Sequence, residues 1–167
     1  MAREVEAEHF PAAREGGMGV MPWSPLAGGF LTGKYQRGKM GDKAEGDGRL
    51  GGPNPFGDSK FTDRNWNVLD VLRAVASEQD RPPAQVALAW VMARPGVAST
   101  LIGARTEQQL QDNVAAAGIA LTPDQTARLD AASAPVPGFT SALAAPAIRR
   151  MLFGGYEVTG WGEKASG

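Results

Sequence analysis

Apolar residues along this chain fall into short unbroken runs and into sets spaced by three or four, and the two patterns predict different elements. Gly19-Val20-Met21-Pro22-Trp23 reads as a buried strand that stops at Pro22 and Pro25. Residues 97–102, Val97 to Ile102, read as a second strand. Helical spacing governs the rest. Val68, Leu69, Val71, Leu72 and Val75 share one face of a helix that Thr62 or Asp63 can cap. After the break at Arg81-Pro82-Pro83, residues 85–94 are apolar nearly all round, which predicts a largely buried helix with Trp90 in the core and Pro95-Gly96 at its end. An N-terminal helix over Val5 to Glu15 places Val5, Phe10 and Ala13 on one face despite Pro11, and Gly16-Gly17 ends it.

Two further helices carry start signals. Thr106-Glu107-Gln108-Gln109 and Thr122-Pro123-Asp124-Gln125 both have the spacing of a capping box, in which the threonine hydroxyl and the glutamine side chain each satisfy an end amide. Leu110, Val114 and Ala117 are the expected inner face of the first, and Leu129 anchors the second. Beyond Pro135 the pattern is irregular until a short helix over 145–153, closed by Gly154-Gly155, and residues 157–167 read as an unanchored tail. Residues 36–60, rich in glycine and charge and without either period, form a long surface loop of the kind that serves as a lid. Helix, strand, long loop, two helices, strand, capped helix is the order of an alternating α/β architecture.

Composition narrows the setting. The chain has 167 residues, 43% of them hydrophobic and 21% charged, with a net charge of −1 and no cysteine. Such a chain is globular. Nothing in that balance calls for nucleic acid or an acidic membrane surface. Disulfides and thiolate metal sites are excluded, and a cytoplasmic location is expected. The longest apolar run, residues 86–93, is too short to cross a bilayer, and the N-terminus carries no signal-peptide pattern.

Candidate chemistry sits where the two strands end. The first runs into Ser24-Pro25-Leu26-Ala27-Gly28-Gly29, whose small residues leave backbone bare for a ligand, and Gly33-Lys34 adds an ammonium suited to a phosphate. The second runs through Gly103-Ala104-Arg105 into a helix N-terminus, where free amides and the helix dipole favour an anion. Arg105 adds a planar cation that fits a phosphate monoester. An ordinary turn and an ordinary capped surface helix account for the same residues without any ligand.

Longer motifs carry more. Trp23-Ser24-Pro25-Leu26-Ala27-Gly28-Gly29 with Leu31-Thr32-Gly33-Lys34-Tyr35 resembles the strand-seven segment of aldo/keto reductases. Ile102-Gly103-Ala104-Arg105-Thr106-Glu107-Gln108-Gln109-Leu110, ending at Asp112-Asn113, resembles the strand-eight segment of the same family. Val86-Ala87-Leu88-Ala89-Trp90 resembles the helix between them, and Phe153-Gly154-Gly155 a tail of one branch. The resemblance runs from Arg3 to Tyr156. It implies a partial (β/α)8 TIM-type barrel holding only the C-terminal β/α units, two parallel strands with surrounding helices. It also implies one domain over 1–156 followed by the tail.

By the same resemblance the cofactor is NADP(H) and the reaction is carbonyl reduction by hydride transfer. Trp23 would stack on the nicotinamide, while Ser24, Pro25, Leu26, Gly28 and Lys34 would line the pyrophosphate and Arg49 would close over it. Gly103, Arg105, Gln109, Asp112 and Asn113 would hold the adenosine end, with Arg105 on the 2′-phosphate. A complete barrel of this type needs about 250 residues. The family's catalytic Asp, Tyr, Lys and His lie on earlier strands and find no counterparts here, and Tyr35, Tyr156 and His9 match none of them, so no residue of this chain is given a catalytic role. The partner is then a nicotinamide dinucleotide, with a carbonyl substrate only where the missing strands are supplied. The chain alone is expected to be inactive. Two alternatives stand beside this reading: a non-catalytic nucleotide-binding module like the reductase-shaped subunits of some membrane channels, and a truncated product without function.

Overall fold

In the computed structural model, which describes residues 3–37, 50, 60–136, 138, 143 and 146–156, the chain divides into two units, Met1–Ala134 and Pro135–Gly167. The expected loop over 36–60, Arg49 included, falls almost wholly outside the described residues, as does the expected tail. The described part of the first unit contains α1 (Val5–Glu15), α2 (Asp63–Glu78), α3 (Pro83–Met92), α4 (Glu107–Val114) and α5 (Pro123–Ser133).

Four aromatic rings hold the first unit together. Phe30 and Tyr35 are each 1% exposed. The Phe30 ring lies 4.9 Å from that of Trp66 and 5.8 Å from that of Phe61, and Tyr35 lies 5.6 Å from Phe61. Leu69, Leu72 and Val75 of α2, Val86 and Ala87 of α3 and Leu129 of α5 close around them. Each such side chain contributes roughly 1.5–3 kcal/mol by leaving water. Two of the four, Phe30 and Tyr35, thus come from the stretch that follows the first strand exit, and Phe61 and Trp66 come from the start of α2 and the residues just before it. The helical spacing of α2 is realised as expected, and Thr62 caps it by accepting the Asn65 amide at 3.2 Å. In α3, burial covers Gln85 to Ala89, while Trp90 is half-buried and Met92 is 37% exposed.

Other expectations need correction. The two strands shrink to two parallel bridges, Val20 with Val97 and Trp23 with Leu101. Between the bridges the first segment advances three residues and the second four. The extra residue is a bulge, and it interrupts the ladder before either segment can count as a regular strand. Hydrogen bonds that join the pair include the Val20 amide to the Gly96 carbonyl at 2.9 Å, the Ala98 amide to Val20 at 2.9 Å and the Leu101 amide to Pro22 at 3.0 Å. No residue of α1 is buried, so Val5, Phe10 and Ala13 do not form a core face. Leu110 and Val114 of α4 are 48% and 57% exposed, and Ala116, not Ala117, is the residue that packs inward. The helical period was read correctly there, yet nothing among the described residues covers the face it marks.

The second unit contains a helix at Pro146–Leu152. It ends as expected at Gly154 and Gly155, both at positive φ, where the Gly155 amide donates to the Arg150 carbonyl at 2.7 Å.

Candidate functional site

Both chain exits that carry candidate residues leave the paired segments at the same end, because the pairing is parallel and Trp23 bridges Leu101. Trp23 itself is 65% exposed. Directly after it the backbone turns through unusual conformations. Ser24 and Ala27 hold φ of 53° and 52°, values that disfavour any residue with a Cβ, and Gly28 and Gly29 follow at 68° and 93°. The residues from Ala27 to Thr32 then wind into a tight turn that ends at Gly33, φ 79°. Thr32 locks this turn by donating its hydroxyl to the Gly29 carbonyl at 2.8 Å. Two amides of the turn are already used inside it: Ala27 donates to the Ser24 carbonyl and Gly29 to the Leu26 carbonyl, both at 2.9 Å.

Lys34 lies back across the turn. A Cβ on Gly29 would come within 3.2 Å of Lys34 Cε, and Lys34 Nζ stands 5.1 Å from the centre of the Tyr35 ring. The Tyr35 hydroxyl, buried, accepts the Leu50 amide at 3.1 Å. Gly28 is bare for a reason the sequence did not reveal. A Cβ there would stand 2.9 Å from Leu50 Cδ2, so Leu50 occupies the space that an open glycine would leave for a ligand. Pro25 and Leu26 are half-buried, with Leu26 resting on the core.

The second exit is of another kind. Gly103, Arg105, Gln109 and Asp112 are all exposed, and Asn113 is half-buried. A Cβ on Gly103 would meet nothing within 4 Å among the described residues. Thr106 caps α4 by accepting the Gln109 amide at 3.2 Å, but Gln109 Oε1 reaches past the cap to the Arg105 amide at 2.9 Å. The expected capping box is therefore displaced by one residue here, while the one at Thr122 and Gln125 is complete. Asp112 accepts from Gln108 Nε2 at 2.9 Å. Three of the five residues expected at the adenosine end, Arg105 through its amide, Gln109 and Asp112, thus have partners within this helix or its cap. Among the described residues no group of three or more His, Asp or Glu is placed to hold a metal ion.

The charged cluster that the structure does build lies elsewhere. Arg3 grips the Glu6 carboxylate with Nε and Nη2, both at 2.8 Å. Arg94 reaches the same carboxylate with Nη2 at 2.8 Å and Asp130 with Nη1 at 2.8 and 3.0 Å. Trp90 donates its indole N–H to Asp130 at 3.1 Å, and both guanidinium groups lie against its ring, at 5.0 Å for Arg3 and 4.8 Å for Arg94. Partial burial would by itself push the Glu6 carboxyl up, but the two arginines outweigh it and hold the group below the usual range; Glu6 in turn raises Arg3. Charged residues scattered over positions 3 to 130 give no local pattern, so sequence reading could not assemble this cluster.

Known proteins bear on the site. The profile of the Aldo/keto reductase family matches residues 1–134. The chain is 37% identical over 121 residues to the uncharacterized oxidoreductase YrpG of Bacillus subtilis, covering 72% of this chain and 34% of that protein. It is 34% identical over 118 residues to the L-glyceraldehyde 3-phosphate reductase of Escherichia coli O157:H7, covering 68% and 33%. A probable voltage-gated potassium channel subunit beta of Oryza sativa is 33% identical over 130 residues, covering 77% and 39%. The chain therefore spans 33% to 39% of the length of these curated relatives.

Proposed function

This chain belongs to the aldo/keto reductase family, and we propose that it is the C-terminal, dinucleotide-gripping part of an NADP(H)-dependent member. In that reading it forms the last two β/α units of an eight-stranded barrel and works in the cytoplasm. The observation that carries the proposal is the parallel bridge between Trp23 and Leu101, which brings both candidate exits to one end of the paired segments. Exposed Met21, Trp23, Leu101, Leu110 and Val114 support the view that further elements belong against this pair.

When bound, the nicotinamide supplies the hydride that reduces a carbonyl. This chain's part is to hold and orient. Trp23 offers a flat aromatic face, and the turn from Ser24 to Gly29, with Pro25, Leu26, Gly28 and Lys34, offers bare backbone and a cation to the pyrophosphate. Arg49 is kept in the proposal as the lid cation, although it lies outside the described residues. Gly103, open on its bare side, and Arg105 take the adenosine end with Gln109, Asp112 and Asn113. Protonation of the product alkoxide needs an acid that no residue here is assigned to supply, so the isolated chain should bind cofactor without turnover.

Titration of the tryptophan fluorescence with NADPH tests the grip: saturable quenching is expected, and its absence would remove the proposal. The likeness to the channel subunit favours a second reading, a nucleotide-sensing module without catalysis. Residues 1–134 grafted in place of the matched segment of the Escherichia coli reductase separate the two. Turnover in the chimera supports the reductase reading, and cofactor binding without turnover supports the module.

A further inference from the structure

The segments 18–23 and 97–102 meet over a short stretch, at the bridges Val20–Val97 and Trp23–Leu101 and where Gly19 lies against Ala98, and so short a pairing is marginal by itself. The helices that lead into them do not fix it by apolar packing either, since α1 buries no residue at all. What ties those helices together is charge. Glu6 lies in α1, which passes through Gly16 and Gly17 directly into the first segment. Arg94 stands two residues past the end of α3 and two before Gly96, whose carbonyl takes the first ladder bond from Val20.

We propose that Glu6 and Arg94, backed by Arg3, Trp90 and Asp130, form a clamp that sets the register of the two paired segments and so positions the two cofactor exits at their far ends. Glu6 and Arg94 are positioning residues in this role. The link to cofactor rests on the reading given above, whereas the setting of register does not.

The geometry is specific enough for the task. One guanidinium, that of Arg94, spans two carboxylates on two different helices, Glu6 of α1 with Nη2 and Asp130 of α5 with Nη1. The planar fork fixes both directions at once, which a lysine ammonium cannot do. Glu6 is held from its other side by both arms of Arg3, whose remaining nitrogen is spent on the Asp130 carbonyl at 3.0 Å and the Ser133 hydroxyl at 2.8 Å. Trp90 prevents the two cations from drifting, with its ring facing both and its N–H on Asp130. Two cations meet two carboxylates, so the cluster is neutral, and only Arg94 Nε is left buried without a partner among the cluster's described guanidinium nitrogens. Sliding α1 by one helical turn would carry Glu6 about 5.4 Å from the fork, so no second register keeps the same bonds. Phe10, one turn further along α1, would lie 3.8 Å from a Cβ on Gly96, at the same junction.

Amide hydrogen exchange reads the register without any cofactor. In Glu6→Ala and in Arg94→Lys, the Val20, Ala98 and Leu101 amides should exchange at least about tenfold faster, while the core amides of α2 from Leu69 to Val75 keep their protection. Arg94→Lys keeps the charge, so its failure to rescue would single out the fork; full protection of the ladder in that variant would overturn the clamp. Equal loss across α2 and the ladder, or no loss at the ladder, would also overturn it, because the cluster would then be a general support or none. Should Glu6→Ala fail to fold, Glu6→Gln, which keeps the shape, gives the same comparison. NADPH titration of the same variants tests the second half: the dissociation constant should rise about tenfold although neither residue touches the cofactor. Loss of ladder protection with unchanged NADPH affinity would contradict the positioning role, whereas an unaltered protein that binds no NADPH at all would fault the cofactor reading instead.

Discussion

The two strand exits of this protein have the same kind of sequence and opposite surroundings. The first, from Ser24 to Tyr35, sends Phe30, Leu31 and Tyr35 into the core and is locked by Thr32 and by Leu50. The second, from Ile102 to Asp112, is exposed at every residue. One half of the proposed grip is therefore built by folding, because its conformation comes with the aromatic core. The start of the other half is held, among the described residues, by a helix cap and a glutamine on an exposed surface. A turn can be both a structural anchor and a binding element, and the first exit is such a case: its glycines are demanded by φ and by Leu50 before any ligand is considered.

Substitutions can sharpen that contrast. The largest effect is expected at the first exit, where Phe30→Ala should lower the unfolding free energy by about 3–5 kcal/mol, read from chemical denaturation. Leu110→Ala at the second should shift it by less than about 0.5 kcal/mol. If the two changed stability equally, the division into a built and an unbuilt half would be wrong.

Affinity should show the reverse order. Arg105→Ala is expected to weaken NADPH more than NADH by about 1–3 kcal/mol, the worth of a charge-assisted contact to the 2′-phosphate. Equal losses for the two dinucleotides would take that role from Arg105. A paired glycine test is finer. Gly28→Ala forces a Cβ into φ +68° and to 2.9 Å from Leu50, and should lower the melting free energy by roughly 1–2 kcal/mol. Gly103→Ala meets nothing within 4 Å among the described residues, so stability should hold while dinucleotide binding weakens.

The smallest effect concerns pH. Glu6 has a folded-state pKa below its unfolded one, so its contribution is fully present above the unfolded value of about 4.3 and fades as pH falls through the folded value. Glu6→Gln should flatten the stability curve in that acid range and leave it unaltered near neutrality in slope. An unchanged acid limb would mean that the carboxylate is not the group being titrated.

Much of this was legible in the residues, and the gaps have physical causes. Thr62, Thr106 and Thr122 announced their helices because a cap is a local event. The apolar set of α2 announced its face for the same reason. Leu110 and Val114 show the limit: periodicity marks which side of a helix is apolar but not whether anything covers it. Trp90 looked like core because its helix is apolar, and only the fold could bring Arg3, Arg94 and Asp130 to it from distant positions. Tyr35 stands in the sequence only as the end of the strand-seven motif, and its burial against Phe61 with the Leu50 amide on its hydroxyl depends on contacts across 15 residues and more. The bulge between the two bridges is likewise a property of the pair and of neither segment alone.

The account stands or falls on a single dinucleotide being held from both exits at once. Backbone amide NMR during an NADPH titration addresses this directly by following Gly28 and Gly29 at the first exit and Gly103 and Arg105 at the second. Both sets are predicted to shift together and to yield one dissociation constant. Movement of one set alone, or of neither, would contradict it.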